Sequence, residues 1–172
     1  MEAMIEHSIP FTGLSDGQHE FDFVLGDPFF AATGMEDYLG GLVKAHVLID
    51  KSEHMLVTNI HVDGHVVMLC DHCNAPMKQR VKGDQRQIFK LMDERDVEDE
   101  EELVGLGPKA HEINLTHYFF ECISLHMPFR HVHPKGKCDP EVDGAFAKIR
   151  IEREPVPDPR WEALKALKKK NR

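Results

Sequence analysis

The chain has 172 residues, with 21 Lys+Arg against 30 Asp+Glu, a formal charge of −9. Hydrophobic residues make up 41%, ten of them Phe, so global disorder is excluded and about one domain with its own core is expected. The acidity argues against a protein that coats nucleic acid with its whole surface, although a local basic patch is compatible with it, and no apolar run approaches the ~18 residues of a membrane span.

Residues 19–25 read as the first strand, with Phe21 and Phe23 on one face. Asp27-Pro28-Phe29-Phe30 starts a short helix, Asp at the cap and Pro in the first turn. Residues 43–50 alternate, with Val43, Ala45, Val47 and Ile49 on one face and Lys44, His46 and Asp50 on the other, the pattern of a half-buried strand. Residues 55–62 do the same through Leu56, Thr58, Ile60 and Val62. Asp63-Gly64 predicts a tight hairpin turn, because glycine supplies the positive φ such turns need, and residues 66–69 return from it. His61 and His65 then flank a turn at the surface. Residues 77–81 form a further strand with Lys78, Arg80 and Lys82 facing out. Gly83-Asp84 predicts another turn, and residues 87–92 come back. About six strands in a meander predict a largely antiparallel sheet.

Residues 93–102 read DERDVEDEEE, eight acids with one Arg, through which no core face can be drawn; a solvated acidic loop is expected over about 93–104. Beyond it the period changes. Leu115, Phe119, Cys122 and His126 recur at helical spacing, Asn114 can cap the start, and Pro128 stops the run, which predicts one long helix with Cys122 in the core. Residues 134–157 hold several prolines and little periodicity. Asp158-Pro159 opens a short C-terminal helix with Trp161, Leu164 and Leu167 as its stripe, and a basic tail occupies about 165–172. The expected class is α+β: a largely antiparallel β-meander sheet packed by one long helix, with a short C-terminal helix, in a single domain over residues 1–172.

The strongest chemical signal is Cys70-Asp71-His72-Cys73. Two thiolates separated by two residues can grip one tetrahedral ion from a tight turn, and Asn74 tolerates the left-handed backbone that such a turn often requires. Residues 131–138 (HVHPKGKC) offer the remaining ligands. His133 and Cys138, separated by a Pro and a Gly, can turn toward one point, with His131 as the competitor. The completed set is Cys70, Cys73, His133 and Cys138, which suits a structural zinc ion with no position left for water. Two alternatives stand beside it. The thiols can be unmetallated packing residues, since cysteines are common in cores. A redox pair is the other, although a thioredoxin-like pair wants its first cysteine at a helix start inside a βαβ unit. Met1 to Pro10 lacks the apolar segment of a secretory signal, so a reducing cytoplasm is the expected compartment. There is no GxSxG elbow, phosphate-binding glycine loop or HExxH, and no catalytic residue is assigned.

Taken in order, HEFDFVLGDPFF (residues 19–30), CDHCNAP (70–76), HEINLTHYFFECISLHMP (111–128), HVHPKGKCDPEV (131–142) and DPRWEALKALK (158–168) resemble the YceD-like large ribosomal RNA subunit accumulation proteins. His72 stands where that family usually has Arg, which weakens any phosphate contact carried over to this position. The resemblance implies a role in accumulation or processing of large-subunit ribosomal RNA with no established enzymatic activity. It also implies that Cys70, Cys73, His133 and Cys138 match a recurrent Cys/His set. The expected partner is ribosomal RNA or a ribosomal protein, with no membrane and no small-molecule substrate. RNA contact is expected at Lys78, Arg80, Lys82 and Arg86 and on the tail at Lys168, Lys169 and Lys170. The alternative is a module or chaperone that holds a basic ribosomal protein without touching RNA.

Overall fold

The computed structural model describes residues 7–33, 37–91 and 103–149. The chain divides into two compact units, Met1–Cys138 and Asp139–Arg172. The first holds β1 (Ser8–Pro10), β2 (Gly17–Leu25), α1 (Asp27–Thr33), β3 (Tyr38–Lys51), β4 (Met55–Leu69), β5 (Pro76–Leu91), β6 (Leu103–Leu106), β7 (Glu112–Asn114) and α2 (Thr116–Leu125). The second holds α3 (Pro140–Ile149).

The main sheet has the order β2-β3-β4-β5-β6, with β2 ending it on one side. Neighbours from β2 to β5 are antiparallel, as the meander pattern predicts, and β6 runs parallel to β5. A separate pair joins β1 to β7. Period-two alternation sends Val43, Val47, Ile49, Leu56, Ile60, Val62, Val81 and Phe89 into the core. The same face receives α1 and α2. Phe119 of α2 is fully buried, with its ring 5.3 Å from Phe23 and 5.7 Å from the His7 ring. Phe89 meets Tyr118 edge to face at 5.4 Å. Among the described residues, no helix is long and apolar enough to cross a membrane.

Several expectations need correction. Asp63-Gly64 and Gly83-Asp84 are not turns. β4 and β5 run straight through them for 15 and 16 residues, and neither glycine takes a positive φ. These glycines permit close approach instead. A side chain at 64 would strike the Leu42 carbonyl and the Val43 Cα, and one at 83 would strike the His126 ring at the end of α2. The long helix is also absent, since α2 has only ten residues. Glu112–Asn114 is taken up as β7, where its backbone groups pair with β1. The Asn114 side chain then accepts the Thr116 N–H at 2.9 Å, and the far end closes on hydrogen bonds from His126 N–H to the Cys122 and Ile123 carbonyls. Leu103 and Val104, placed in the acidic loop from sequence, are strand residues of β6 paired with Ile88 and Phe89.

In the second unit, α3 lies in the stretch 134–157 expected to have little periodicity, where Val142, Phe146 and Ile149 in fact recur at helical spacing. Asp139 caps it: its carboxylate accepts the Glu141 N–H at 2.9 Å, and its carbonyl accepts the Asp143 N–H at 3.0 Å. Acids in the first turn and Lys148 in the last suit the helix dipole. The expected acidic stretch 93–102, C-terminal helix 158–168 and basic tail 165–172 lie outside the described residues.

Candidate metal centre

The Cys70-to-Cys73 turn is the connection between the antiparallel strands β4 and β5, not a helix start. Pairing ends at Leu69 and Pro76, and the six residues between them fold back tightly. Asn74 N–H bonds to the Cys70 carbonyl at 2.8 Å, and Cys70 N–H bonds to the Ala75 carbonyl at 2.9 Å. Asn74 takes φ 56°, the left-handed conformation its side chain tolerates.

The loop after α2 is strapped to this turn. Asp71 N–H donates to the His131 carbonyl at 2.7 Å, and His131 N–H donates to the Asp71 carboxylate at 2.6 Å. Gly136, at φ 79°, lies in a turn closed by Lys137 N–H on the Pro134 carbonyl. This turn brings Cys138 back beside His133. The reciprocal Asp71–His131 clamp was not anticipated from sequence; its only signal is an acidic residue inside the CxxC.

Ligand atoms of Cys70, Cys73, His133 and Cys138 all lie within 4.8 Å of one another. Cys70 and Cys138 sulfurs are 4.0 Å apart, the Cys73 sulfur is 3.3 Å from His133 Nδ1, and the Cys138 sulfur is 3.9 Å from that nitrogen. Zn–S bonds of ≈ 2.3 Å and Zn–N bonds of ≈ 2.0–2.1 Å at tetrahedral angles imply S···S of about 3.8 Å and S···N of about 3.6 Å. The observed edges scatter around those values, so the donor set fits one tetrahedral ion. No pair is a disulfide. His131 faces Asp71 instead, 3.8 Å from its carboxylate, and stands outside the cluster.

The setting is apolar. Met68 and Met77 are buried with Cys70, and Tyr38, Met127 and Val132 pack around Cys70, Cys73 and Cys138. Burial pushes the Cys70 thiol up, but the backbone N–H groups of Cys73, His133 and His72 outweigh it and bring it down to about 6. The His133 N–H, at 3.4 Å from the sulfur, is one of these donors. Cys138 is pushed up to about 11, first by burial and then by hydrogen bonds to the neighbouring cysteine sulfurs. A low thiol pKa also marks redox cysteines, but those are partly exposed, whereas Cys70 is only 2% exposed. A buried thiolate that accepts backbone N–H groups is what a structural metal ligand requires. Cys122 is remote in role: it is fully buried on α2, and burial pushes its thiol up to about 11.

Lys78, Arg80 and Lys82 are exposed on the solvent face of β5, and Arg86 continues the row. Arg80 reaches Asp63 on β4 at 3.5 Å. Lys168, Lys169 and Lys170 lie outside the described residues.

The family model for large ribosomal RNA subunit accumulation protein YceD matches residues 58–168. The matched segment spans β4 from Thr58 onward, all of β5 and all four Cys/His ligands; it leaves out residues 19–30. No curated protein and no solved structure matches the chain.

Proposed function

Because the chain belongs to the YceD family of large ribosomal RNA subunit accumulation proteins, we propose that it is a non-enzymatic ribosome-biogenesis factor whose Cys/His cluster is a structural metal site. The observation that carries the reading is the match over residues 58–168, which includes both halves of the cluster and the whole of β5.

Cys70 and Cys73 come from the β4–β5 turn, and His133 and Cys138 come from the loop after α2. A zinc ion held by all four would cross-link these stretches and keep no open position for water. The chain itself does the rest. Backbone N–H groups hold the Cys70 thiolate, the Asp71–His131 clamp sets the loop, and Met68, Met77 and Tyr38 pack around Cys70. The stiffened turn then holds the start of β5, from which Lys78, Arg80 and Lys82 project every second residue toward solvent. These cations, with Arg86 and the tail lysines Lys168, Lys169 and Lys170, are the proposed RNA contacts.

RNA affinity as a function of salt tests the reading. Each phosphate contact to a single strand contributes about −0.7 to the slope of log affinity against log salt. Replacing Lys78, Arg80 and Lys82 with Gln should flatten the slope by about 2. The charge of −9 favours a second reading, a module for a basic ribosomal protein without RNA contact. Capture of ribosomal protein that survives ribonuclease, together with no salt-dependent RNA binding, would decide for it.

A further inference from the structure

The solvent face of the sheet carries a second constellation. Because β2 to β5 are in register, one outward row crosses four strands: Asp22 stands opposite His46, His46 opposite His61, and His61 opposite Asp84. In each half a carboxylate takes the ring's Nδ1. Asp22 Oδ1 lies 2.9 Å from His46 Nδ1, and Asp84 Oδ1 lies 2.6 Å from His61 Nδ1. A carboxylate only accepts, so each Nδ1 carries its proton, and in the neutral ring the lone pair is then on Nε2. Asp84 is held ionised by the His61 hydrogen bond, which lowers its pKa below the usual value.

The placement of the carboxylates matters. They sit on the two outer strands of the row, and the two nitrogens of an imidazole lie on opposite sides of its ring. Because each Nδ1 is engaged toward an outer strand, Nε2 is the ring nitrogen left for a ligand shared across the seam between β3 and β4. Side chains directly opposed on neighbouring strands have Cβ atoms about 4.5–5.5 Å apart, a spacing at which two imidazoles can share one ion. Both rings are partly open to solvent, at 45% and 39% exposure, and border a shallow hollow of ≈ 420 Å³ that Leu48, Asn59 and Arg86 also line.

We propose that His46 and His61 form a second metal site, binding a borderline divalent transition ion of the nickel, copper or zinc class through their two Nε2 atoms, with Asp22 and Asp84 as orienting partners. Only two ligands come from protein, so water or an exchangeable ligand fills the other positions, in contrast to the four-ligand cluster. The flanking rows carry Lys44, Asp63 and Lys82 on one side and Glu20 and Arg86 on the other; the cations do not ligate, and with only two protein ligands the site is weaker than the cysteine site.

The test uses the full chain with one equivalent of zinc present, titrated with Ni²⁺ and followed by calorimetry and by the imidazole ¹⁵N resonances. One further equivalent should bind, with His46 and His61 signals the first to broaden. His46→Gln or His61→Gln should abolish that step. Asp22→Asn together with Asp84→Asn should weaken it about 10–100-fold with zinc content unchanged. His54→Gln, at a 77% exposed side chain away from the row, should leave it intact. Ni²⁺ binding of wild-type strength in both histidine variants, broadening that starts at other histidines, or no further equivalent at all would overturn the proposal.

Discussion

Removing the metal from the four-ligand cluster should release one end of the sheet from the loop it holds. The cross-link spans 60 residues between Cys73 and His133 and 68 between Cys70 and Cys138. A cross-link acts chiefly by restricting the unfolded chain, and closing a loop of this size is worth about 4 kcal/mol at 25 °C. A chain of this length shifts its melting temperature by ≈ 2–4 °C per kcal/mol. Chelation should therefore lower Tm by roughly 8–16 °C on those scales. Thermal melts with and without a tight chelator, paired with metal content per chain, measure this for the wild type, Cys73→Ser and Cys122→Ser. The wild type and Cys122→Ser should carry one tightly held ion and respond to chelator. Cys73→Ser should melt low and respond no further. A metal-loaded wild type whose Tm ignores the chelator would refute the cross-link argument, and full metal content in Cys73→Ser would refute the ligand assignment.

Other substitutions probe the frame around the site. Phe119→Ala removes a fully buried ring from between the sheet and α2 and should cost about 3–5 kcal/mol in denaturant unfolding. Gly64→Ala forces a methyl group against β3 backbone that cannot step aside; it should cost about 1–3 kcal/mol, with the strand pairing near Val43 visibly perturbed in amide spectra. The Asp84 carboxyl is lowered from 3.8, first by its hydrogen bond to His61, so its stabilising contribution is complete above the ordinary carboxylate value and is lost as pH falls through the lower folded value. A ¹³C titration should place its midpoint below 3.8, and Asp84→Asn should remove that part of the acid dependence.

The strands were legible where burial imposes alternation, as in Val43 to Ile49 and Leu56 to Val62. Their lengths were not, because Asp-Gly reads identically whether the glycine bends the chain or lets a neighbouring strand approach. Only the tertiary neighbours of Gly64 and Gly83 decide that, and a sequence does not list neighbours. The stripe from Leu115 to His126 overlaps α2 closely, but Leu115 and His126 are its caps, so the helix called long has under three turns. The helix α3 was missed although Asp139-Pro140 carries the same start signal that identified Asp27-Pro28, and although Val142, Phe146 and Ile149 recur at helical spacing; the surrounding prolines masked a stripe of only three residues. The Cys/His set was legible because few side chains can ligate and CxxC fixes half the geometry. The choice of His133 over His131 rests on the Asp71 clamp, which requires knowing that two distant loops meet. The row from Asp22 to Asp84 depends on register across four strands and leaves no local trace.

β2 closes the sheet with a strand of nine residues whose outer backbone groups face no other described strand. Such a rim invites a foreign strand to add itself and is a common starting point for aggregation. Here the alternate outward positions are Gln18, Glu20, Asp22 and, at the far end, Val24. Two copies meeting rim to rim would set carboxylates against carboxylates, and the repulsion opposes the very association that the bare amides offer. The carboxylates of Glu20 and Asp22 thus disfavour rim-to-rim pairing of two copies.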